Sequence, residues 1–447
     1  MVSIPPPITQ MKTEFERARR WRRGRHEPLQ FGDVRWEALD RFLSLGFPTP
    51  QDEEWRFTDV APIAGKIFTL ALQSANDAKY LGLAPLRLPD DFASELVFVN
   101  GYCLAAASNF PAPPRGALLG SLSEMLDSSA SDVIPYLARI ASFERRAFPA
   151  LNTALFGDGA CILIPAHTVL EKPLHVRFIS TGEADMRPAM SNPRVLVVLG
   201  AASQATIVES YVGPRSVPYF TNAVAEIVLG ENAALDHYKL QCESVQAYHI
   251  SATNVVAASG ANCSRHFISL GGALVRDEFR AVLGQGAQCT LDGLYLADGE
   301  RLVNNHTTMD HLVQRCRSRQ VYNGILAGRG RSVFAGNLNV GADAHKTDAR
   351  QTHRTLLLSE DARSNSTLHF ENSARKAHCV QRVVARRMDE DASMYGRSRG
   401  LPDAEARRLV ACDFVRNILK RLPLQPLAHA VEELLQEQLD AMLESVE

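Results

Sequence analysis

The sequence predicts a mainly β protein: a right-handed parallel β-helix flanked by an N-terminal helical region and by C-terminal helices. Short apolar strands follow one another between about residues 150 and 390 with little helical periodicity. One pattern recurs in this region, namely an aliphatic run, a small or polar turn, and an alternating strand. A fixed period of about 20–50 residues is typical of a solenoid, in which each repeat buries its apolar face against its neighbours.

The spacing between successive turns of this pattern gives the repeat length. Successive turns open 30, 28, 26, 44 and 31 residues apart, and the spacing of 44 indicates a longer segment or a missed turn. The strands lie too close together for βαβ units, which need crossovers of a dozen or more residues. A β-sandwich remains an alternative, although its hairpins would show Asn-Gly turns where these repeats show Gly-x-x-Ala. The turns open at Gly200, Gly230, Ala258, Gly284, Gly328 and Ser359.

Three regions are predicted along the chain. Residues 1–115 form a helical and mixed region, residues 116–395 the β-helix core, and residues 396–447 a C-terminal helical domain. In the last region, apolar residues recur every three or four positions, and Pro423 and Pro426 separate two helices. This helix pair is expected to cap the open end of the solenoid, to dock a partner, or to do both.

The composition argues against several classes of protein. A formal net charge of −2 with 46% apolar and 22% charged residues gives no sign of nucleic-acid binding. No stretch approaches the roughly 18 apolar residues of a membrane helix, and no signal peptide is recognisable. Eight cysteines without a CxxC pair argue against a disulfide framework and a closed zinc site. We therefore expect a cytoplasmic protein that meets neither a membrane nor a nucleic acid.

Candidate catalytic residues are sparse. His306, Thr308 and Asp310 would share one face of a strand, where histidine and carboxylate can bind a metal or work as base and acid. An outward polar ladder explains them without chemistry. No phosphate loop, dinucleotide fingerprint or GxSxG elbow occurs in the sequence, so no enzyme is predicted. The alternative is a β-helix polysaccharide lyase or hydrolase that uses His306, Asp310 and His311.

Two further polar segments lie near the end of the repeats. Around Asp348, residues 345–354 alternate in charge, which predicts an ion-paired outer face. The pair His378-Cys379 sets an imidazole beside a thiol, a soft ligand set that suits iron, zinc or an iron–sulfur cluster. Adjacent strand residues face opposite ways, so the two side chains need not share a ligand. A cysteine near a core strand is otherwise a small buried apolar residue.

Several segments resemble the SufB/SufD family of iron–sulfur cluster assembly scaffold proteins, and its SufD members more closely. The resemblance extends from about residue 48 over most of the chain, and the motifs are specific only when taken together. They are PTPQDEEWRFTDV (48–60), FPALNTALFGDGACILIPAHTVLEKPLHVRFIS (148–180), GGALVRDEFRAVLGQGAQCTLDGLYLADGERLVNNHTTMDHL (271–312), SRQVYNGILAGRGRSVFAGNLNVGADAHKTDARQTHRTLLLS (318–359) and SRGLPDAEARRLVACDFV (398–415).

This resemblance implies a non-catalytic scaffold subunit of the SUF assembly complex. Such a subunit pairs with a SufB-like subunit through the end of its β-helix and docks a SufC-like ABC ATPase on its C-terminal helices, here with Leu409, Phe414 and Ile418 as candidate contacts. It also implies a transient iron–sulfur cluster or iron in the complex, a reduced flavin linked to the complex, and no tightly bound cofactor in isolation. The isolated protein is expected to form a homodimer when an exposed β-helix edge pairs with its copy.

The chain departs from the family pattern in the strand before the SRG turn. The family usually has Lys-Cys-Ser-His-Gly there, and an alignment without gaps keeps Cys379 but sets Gln381 in place of the histidine. Either His378 substitutes for that histidine, or the cluster-facing role is altered. Cys379 and His378 are the predicted contacts of the cluster or iron. Basic residues also replace the family's more acidic ones within 363–387, at Arg375, Lys376, Arg382, Arg386 and Arg387.

Overall fold

A parallel β-helix of about seven turns forms the centre of the molecule, and helices flank it on both sides in sequence, as predicted. The computed structural model describes residues 6–22, 29–73, 81–82, 89, 93–109, 113–184, 186–374, 377–388, 394, 396 and 398–444. Each turn of the solenoid gives one strand to each of two sheets, so strands that pair within a sheet are alternate strands of the chain.

The strands are numbered in chain order. They are β1 (Thr69–Leu70), β2 (Ser94–Val99), β3 (Tyr102–Cys103), β4 (Leu118–Ser121), β5 (Gly159–Ile164), β6 (Leu174–Ile179), β7 (Glu183–Ala184), β8 (Arg187–Ser191), β9 (Arg194–Leu199), β10 (Gln204–Val212), β11 (Phe220–Leu229), β12 (Ala234–Cys242), β13 (Tyr248–Ala257), β14 (Asn262–Ser269), β15 (Leu274–Leu283), β16 (Gln288–Ala297), β17 (Leu302–His311), β18 (Arg317–Leu326), β19 (Arg331–Val340), β20 (Asp348–Leu357), β21 (Arg363–Asn372) and β22 (His378–Arg387).

The helices of the described residues lie before and after the repeats. They are α1 (Pro6–Arg22), α2 (Leu29–Leu45), α3 (Ala61–Ala64), α4 (Leu122–Ser128), α5 (Ala130–Val133), α6 (Ala147–Leu155), α7 (Asp403–Leu419) and α8 (Gln425–Glu444). None of the described helices is long and apolar enough to span a membrane.

Two sheets run the length of the solenoid. Sheet A has the order β4-β5-β9-β11-β13-β15-β17-β19-β21, and sheet B has the order β3-β2-β6-β10-β12-β14-β16-β18-β20-β22. Successive turns pair in parallel, whereas β4 joins β5 and β3 joins β2 in antiparallel fashion at the first turn. Strands β2 and β3 thus extend sheet B, although they lie within the predicted N-terminal region.

The repeat is more regular than the sequence suggested. Strands β11, β13, β15, β17, β19 and β21 start at residues 220, 248, 274, 302, 331 and 363, which gives repeats of 26 to 32 residues. The step of 44 residues reflects a missed turn and not a longer segment, and it joins different sheets, because Gly284 follows a strand of sheet A and Gly328 a strand of sheet B. The missed turn lies at 312–315, after β17, where no glycine marks it.

Glycine marks several of the other corners because the chain stacks closely there. A Cβ atom added at Gly200 would lie 2.4 Å from the backbone nitrogen of Ala166 in the preceding turn. Ordinary van der Waals contacts of a Cβ are about 3.4–4 Å, so a larger residue would push the two turns apart.

The three largest apolar cores of the described residues hold the fold together. One fills the lumen of the β-helix; a second lies between the outer face of sheet A and helices α1, α2 and α6. The third lies between the outer face of sheet B and helices α7 and α8, where Leu294, Ile325 and Leu356 meet Val415 and Val431. The C-terminal helix pair therefore covers the side of the solenoid, which argues against the capping alternative.

Part of the solenoid carries polar residues in the lumen and apolar residues on its outer face. In β12, Tyr238 and Leu240 point outward and pack in the core beneath the C-terminal helices. His237 and Lys239 alternate with them and lie buried in the lumen. Because both faces of sheet B are covered, the alternation of apolar residues could not show which face is the lumen.

Candidate protein interface at the open end of the solenoid

The two ends of the β-helix are covered differently. At the first turn, β4 lies along β5 and the β2–β3 hairpin lies along β6. At the last turn, β21 and β22 are the final strands of their sheets, and among the described residues no strand pairs with their outer edges. Each is ten residues long. A long unpaired edge is a template for strands of another chain.

The side chains of the last turn leave apolar surface exposed. Phe370, Val380 and Val383 are 42%, 46% and 43% exposed. Within the lumen, Leu368 and Cys379 pack against the apolar core but are only partly buried. The core of the solenoid therefore continues to the end of the last turn without a full cover from the described part of the chain.

Cys379 faces the lumen at this open end. Its strand is in register with β20, which sets Cys379 beside Ala349. Burial raises the pKa of the Cys379 thiol, and the nearby carboxylate of Asp348 raises it further. The thiol therefore keeps its proton at neutral pH, and only a new positive charge or a metal ion would favour the thiolate.

His378 lies on the opposite face of the same strand. Its side chain is 66% exposed, and its Nδ1 lies 3.3 Å from Oδ1 of Asp348. Gln381, which takes the place of the family's histidine, shares the inward face with Cys379. Because the register of β22 with β20 is unbroken, His378 does not move to that face. Arg375 and Lys376, the basic substitutions just before this strand, lie outside the described residues.

Gln381 ends a ladder of amide side chains in the lumen, which the sequence analysis missed. Nε2 of Gln381 donates to Oε1 of Gln351 at 3.0 Å, and Nε2 of Gln351 donates to Oε1 of Gln320 at 3.2 Å. The hydroxyl of Thr307 donates to the same oxygen of Gln320 at 2.8 Å. Glutamines at 320, 351 and 381 recur with the repeat length, and that spacing was the available signal.

Deeper in the lumen lies a cluster of paired charges, also missed. Asp277 accepts hydrogen bonds from Lys239 at 3.3 Å and from both terminal nitrogens of Arg265 at 2.8 and 2.9 Å. Burial alone would raise the pKa of Glu209, but the hydrogen bond and charge of His237 outweigh it and hold that pKa at about 2. These groups are buried and paired with one another, so they do not form an open site.

The residues of the lyase alternative do not converge. His306 and Asp310 share the outer face of sheet A, as predicted, but His311 points into the lumen and contacts Ser318. His306 is 8% exposed and lies within 3.0 Å of Arg276. Burial, assisted by that guanidinium, lowers the pKa of His306 to about 4, so its imidazole is neutral at pH 7.

The three predicted docking residues of α7 differ in exposure. Leu409 is 41% exposed, whereas Ile418 is 1% exposed and packs in the core between α7 and sheet B. Phe414 is half-buried in the same core, and its backbone carbonyl accepts a hydrogen bond from Nδ2 of Asn323 at 3.1 Å. Of the three, Leu409 offers its side chain to a partner most directly.

No group of three or more histidine, cysteine or acidic side chains within the described ranges could hold a metal ion. All eight cysteines are free thiols. Any cluster contact at Cys379 would therefore need ligands from outside the described part of this chain.

Two protein-family models match this chain. Residues 178–414 match the family model described as "SUF system FeS cluster assembly, SufBD core domain", and residues 15–176 match "SufBD protein N-terminal region". The chain belongs to the SufBD family. The SufBD core model spans the solenoid from β6 to the middle of α7, so the open end and the first part of α7 lie within it.

Named relatives of this SufBD protein extend over nearly the whole chain. An iron–sulfur cluster assembly SufBD family protein of Synechocystis is 31% identical over 87% of this chain and 87% of its own length. The iron–sulfur cluster assembly protein SufD of Escherichia coli is 26% identical over 86% of this chain and 88% of its own. SufD of Bacillus subtilis is 22% identical over 93% and 96%. These matches agree with the resemblance to SufD and give the polysaccharide lyase alternative no support.

Proposed function

We propose that this SufBD protein is a non-catalytic, cytoplasmic scaffold subunit of the SUF complex, which pairs with a SufB-like subunit through the open end of its β-helix. The observation that carries the proposal is the last turn, where two ten-residue strands present unpaired edges beside exposed Phe370, Val380 and Val383. Strands added by a partner would form hydrogen bonds with the main-chain N–H and C=O groups at these edges and would cover the lumen. Main-chain hydrogen bonds and buried side chains are the usual sources of affinity in such interfaces.

Cys379 is the residue of this chain that we assign to the nascent cluster. It lies at the mouth of the lumen, where a partner's ligands would meet it, and its raised pKa keeps it unreactive until a metal ion displaces the proton. Iron or an iron–sulfur cluster is then cargo that passes through the complex, and no tightly bound cofactor is expected in isolation. His378 would reach the same site only after a change in the strand, and any reduced flavin belongs to the assembled complex.

Reconstitution with SufB-like and SufC-like partners tests the role of Cys379. We expect Cys379→Ala to lower the yield of assembled cluster while the complex still forms. Cys103→Ala is the matched control, because Cys103 is also half-buried and packs against the lumen core, but lies on β3 at the covered first turn. Equal cluster yields from the wild type and Cys379→Ala would remove Cys379 from the site.

The C-terminal helices are proposed to dock a SufC-like ABC ATPase. Leu409→Asp should abolish capture of the ATPase, since this exposed side chain is not part of the core beneath α7. Leu312→Asp is the control, because Leu312 is 52% exposed at a corner of the solenoid. Unchanged capture by Leu409→Asp would move the docking surface elsewhere.

In the absence of a SufB-like partner, the same edges are proposed to pair with a second copy of the chain. The mass of the isolated protein in solution should correspond to a dimer, and adding the SufB-like subunit should convert it to the heterodimer. A monomer at all concentrations would contradict self-association and leave the heterodimer to be tested separately.

A further inference from the structure

A cleft of about 660 Å³ lies between the outer face of sheet B and helix α7, and it borders the apolar core beneath the helices at Ile418. Strands β16, β18 and β20 form its floor, and Asn417, Ile418 and Arg421 of the α7 region form one wall. Among its described lining residues, Asp348 is the only carboxylate. The basic side chains of this cleft, here called the arginine cleft, are Arg317, Arg319, Arg350, Arg354 and Arg421.

Three of these five arginines form no direct ion pair with another described residue, although carboxylates lie near two of them: Asp348 is the register neighbour of Arg317, and Asp292 feels the charge of Arg319. Arg421 pairs with Asp292 at 2.6 Å, and Arg350 pairs with Asp348 at 3.2 Å. Asp348 also meets His378, so its charge is shared. The remaining three, Arg317, Arg319 and Arg354, make no hydrogen bond or ion pair through their side chains to any other described residue. The predicted ion-paired outer face is thus present only at Asp348.

The register of the strands sets two of these arginines side by side. Arg319 of β18 is the direct neighbour of Arg350 in β20, and neighbouring strands lie about 4.8 Å apart. Like charges in directly paired positions are destabilising. On β22, Arg382 stands beside Thr352 and continues the basic face toward the open end. An anion that bridges the guanidinium groups would remove this repulsion.

We propose that the arginine cleft binds a small anion that carries two or more phosphate groups. Guanidinium forks match phosphate oxygens in a bidentate manner, and several forks held on adjacent rigid strands favour an anion with several phosphates. The cleft is concave, walled on one side by the α7 region, and its volume lies in the range of about 300–1,000 Å³ typical of small-molecule sites. A protein chain or nucleic acid would instead favour a flatter or longer basic surface.

Calorimetric titration of the full-length protein with inorganic pyrophosphate tests this proposal. The wild type should bind, and Arg319→Gln combined with Arg354→Gln should weaken binding at least tenfold, with weaker binding also at higher salt. Arg331→Gln combined with Arg363→Gln is the matched control, since these arginines are exposed register neighbours on sheet A and line a different cavity. The control pair should bind pyrophosphate as the wild type does.

Thermal unfolding separates loss of the site from loss of the fold. Pyrophosphate should raise the melting temperature of the wild type and of the control pair, and leave that of the Arg319/Arg354 variant unchanged. No pyrophosphate binding by the wild type, or equal weakening in both double variants, would overturn the proposal. Tighter binding of poly-glutamate than of pyrophosphate through the same arginines would also overturn it, in favour of an acidic protein segment.

Discussion

The two ends of the solenoid are built from the same kind of turn but end in different surroundings. At the first turn, β2 and β4 bring Leu96, Phe98 and Leu119 over the apolar lumen, and each is 9% exposed or less. At the last turn, Leu368 and Cys379 lie in the equivalent position and remain partly exposed. Every solenoid needs a cover at both ends. The chain supplies one cover itself, and we attribute the other to a partner.

The largest effect is expected where the N-terminal region is fastened to the solenoid. Glu226 is fully buried, accepts hydrogen bonds from the backbone N–H groups of residues 138–141, and pairs with the buried Arg194. Glu226→Ala would leave Arg194 buried without its counter-charge, which should lower the free energy of unfolding by about 3–5 kcal/mol. Chemical denaturation measures this change.

The matched substitution near the open end should have little effect on stability. Asp348→Ala removes an exposed ion pair with Arg350, and such pairs contribute about 0–1 kcal/mol. Equal losses in Glu226→Ala and Asp348→Ala would contradict the distinction between a fastened end and a free end.

A smaller effect is expected for association at the open end. Val383→Asp places a charge beside the lumen of the last turn, and loss of a central apolar contact typically weakens binding by about 2–4 kcal/mol. The dissociation constant for a SufB-like partner should therefore rise about 30- to 1,000-fold. Val169→Asp is the control, because Val169 is 51% exposed near the covered end. Surface plasmon resonance measures the dissociation constant of each variant for the SufB-like partner. Equal weakening of binding by the two variants would refute the assignment of the interface to the open end.

Low pH is expected to reduce folding stability equally at the two ends of the solenoid, because each end holds a buried histidine. Burial lowers the pKa of His175 near the first turn, and of His353 near the last, to about 3. Because an unfolded histidine titrates near pH 6.5, the unfolded chain binds more protons below that pH, and stability falls as the pH falls toward 3. Between pH 7 and pH 5, each of these two histidines should lower the free energy of unfolding by about 2 kcal/mol.

Denaturation curves at pH 7 and pH 5 check this prediction. His353→Gln keeps a hydrogen-bonding side chain beside Tyr295 and Ser366 but cannot titrate, so it should lose less stability between the two pH values than the wild type. A pH dependence identical to that of the wild type would show that His353 does not titrate as described.

The sequence predicted the fold better than it predicted what lies on each face of the sheets. Gly200, Gly230 and Gly284 marked corners of the solenoid, because close stacking excludes a side chain there, whereas the corner at 312–315 uses no glycine and was missed. In β12 both faces are buried, because Tyr238 and Leu240 pack beneath the C-terminal helices while His237 and Lys239 lie in the lumen. Local patterns cannot tell which of two covered faces lies inside.

For the candidate site, family motifs located Cys379, and strand alternation already implied that His378 faces the other way. The open end itself could not be recognised, because it depends on which strand has no neighbour. The arginine cleft was equally hidden, since Arg319 and Arg350 are 31 residues apart in sequence and become neighbours only through the register of β18 and β20.

Hydrogen–deuterium exchange of the protein, alone and bound to a SufB-like subunit, tests the open end most directly. Amides of residues 363–372 and 378–387 should exchange in the isolated protein wherever they face the unpaired edge, and should become protected in the complex, while residues 102–103 and 118–121 change little. Protection confined to the outer faces or to α7 and α8, with the last turn unchanged, would contradict the account.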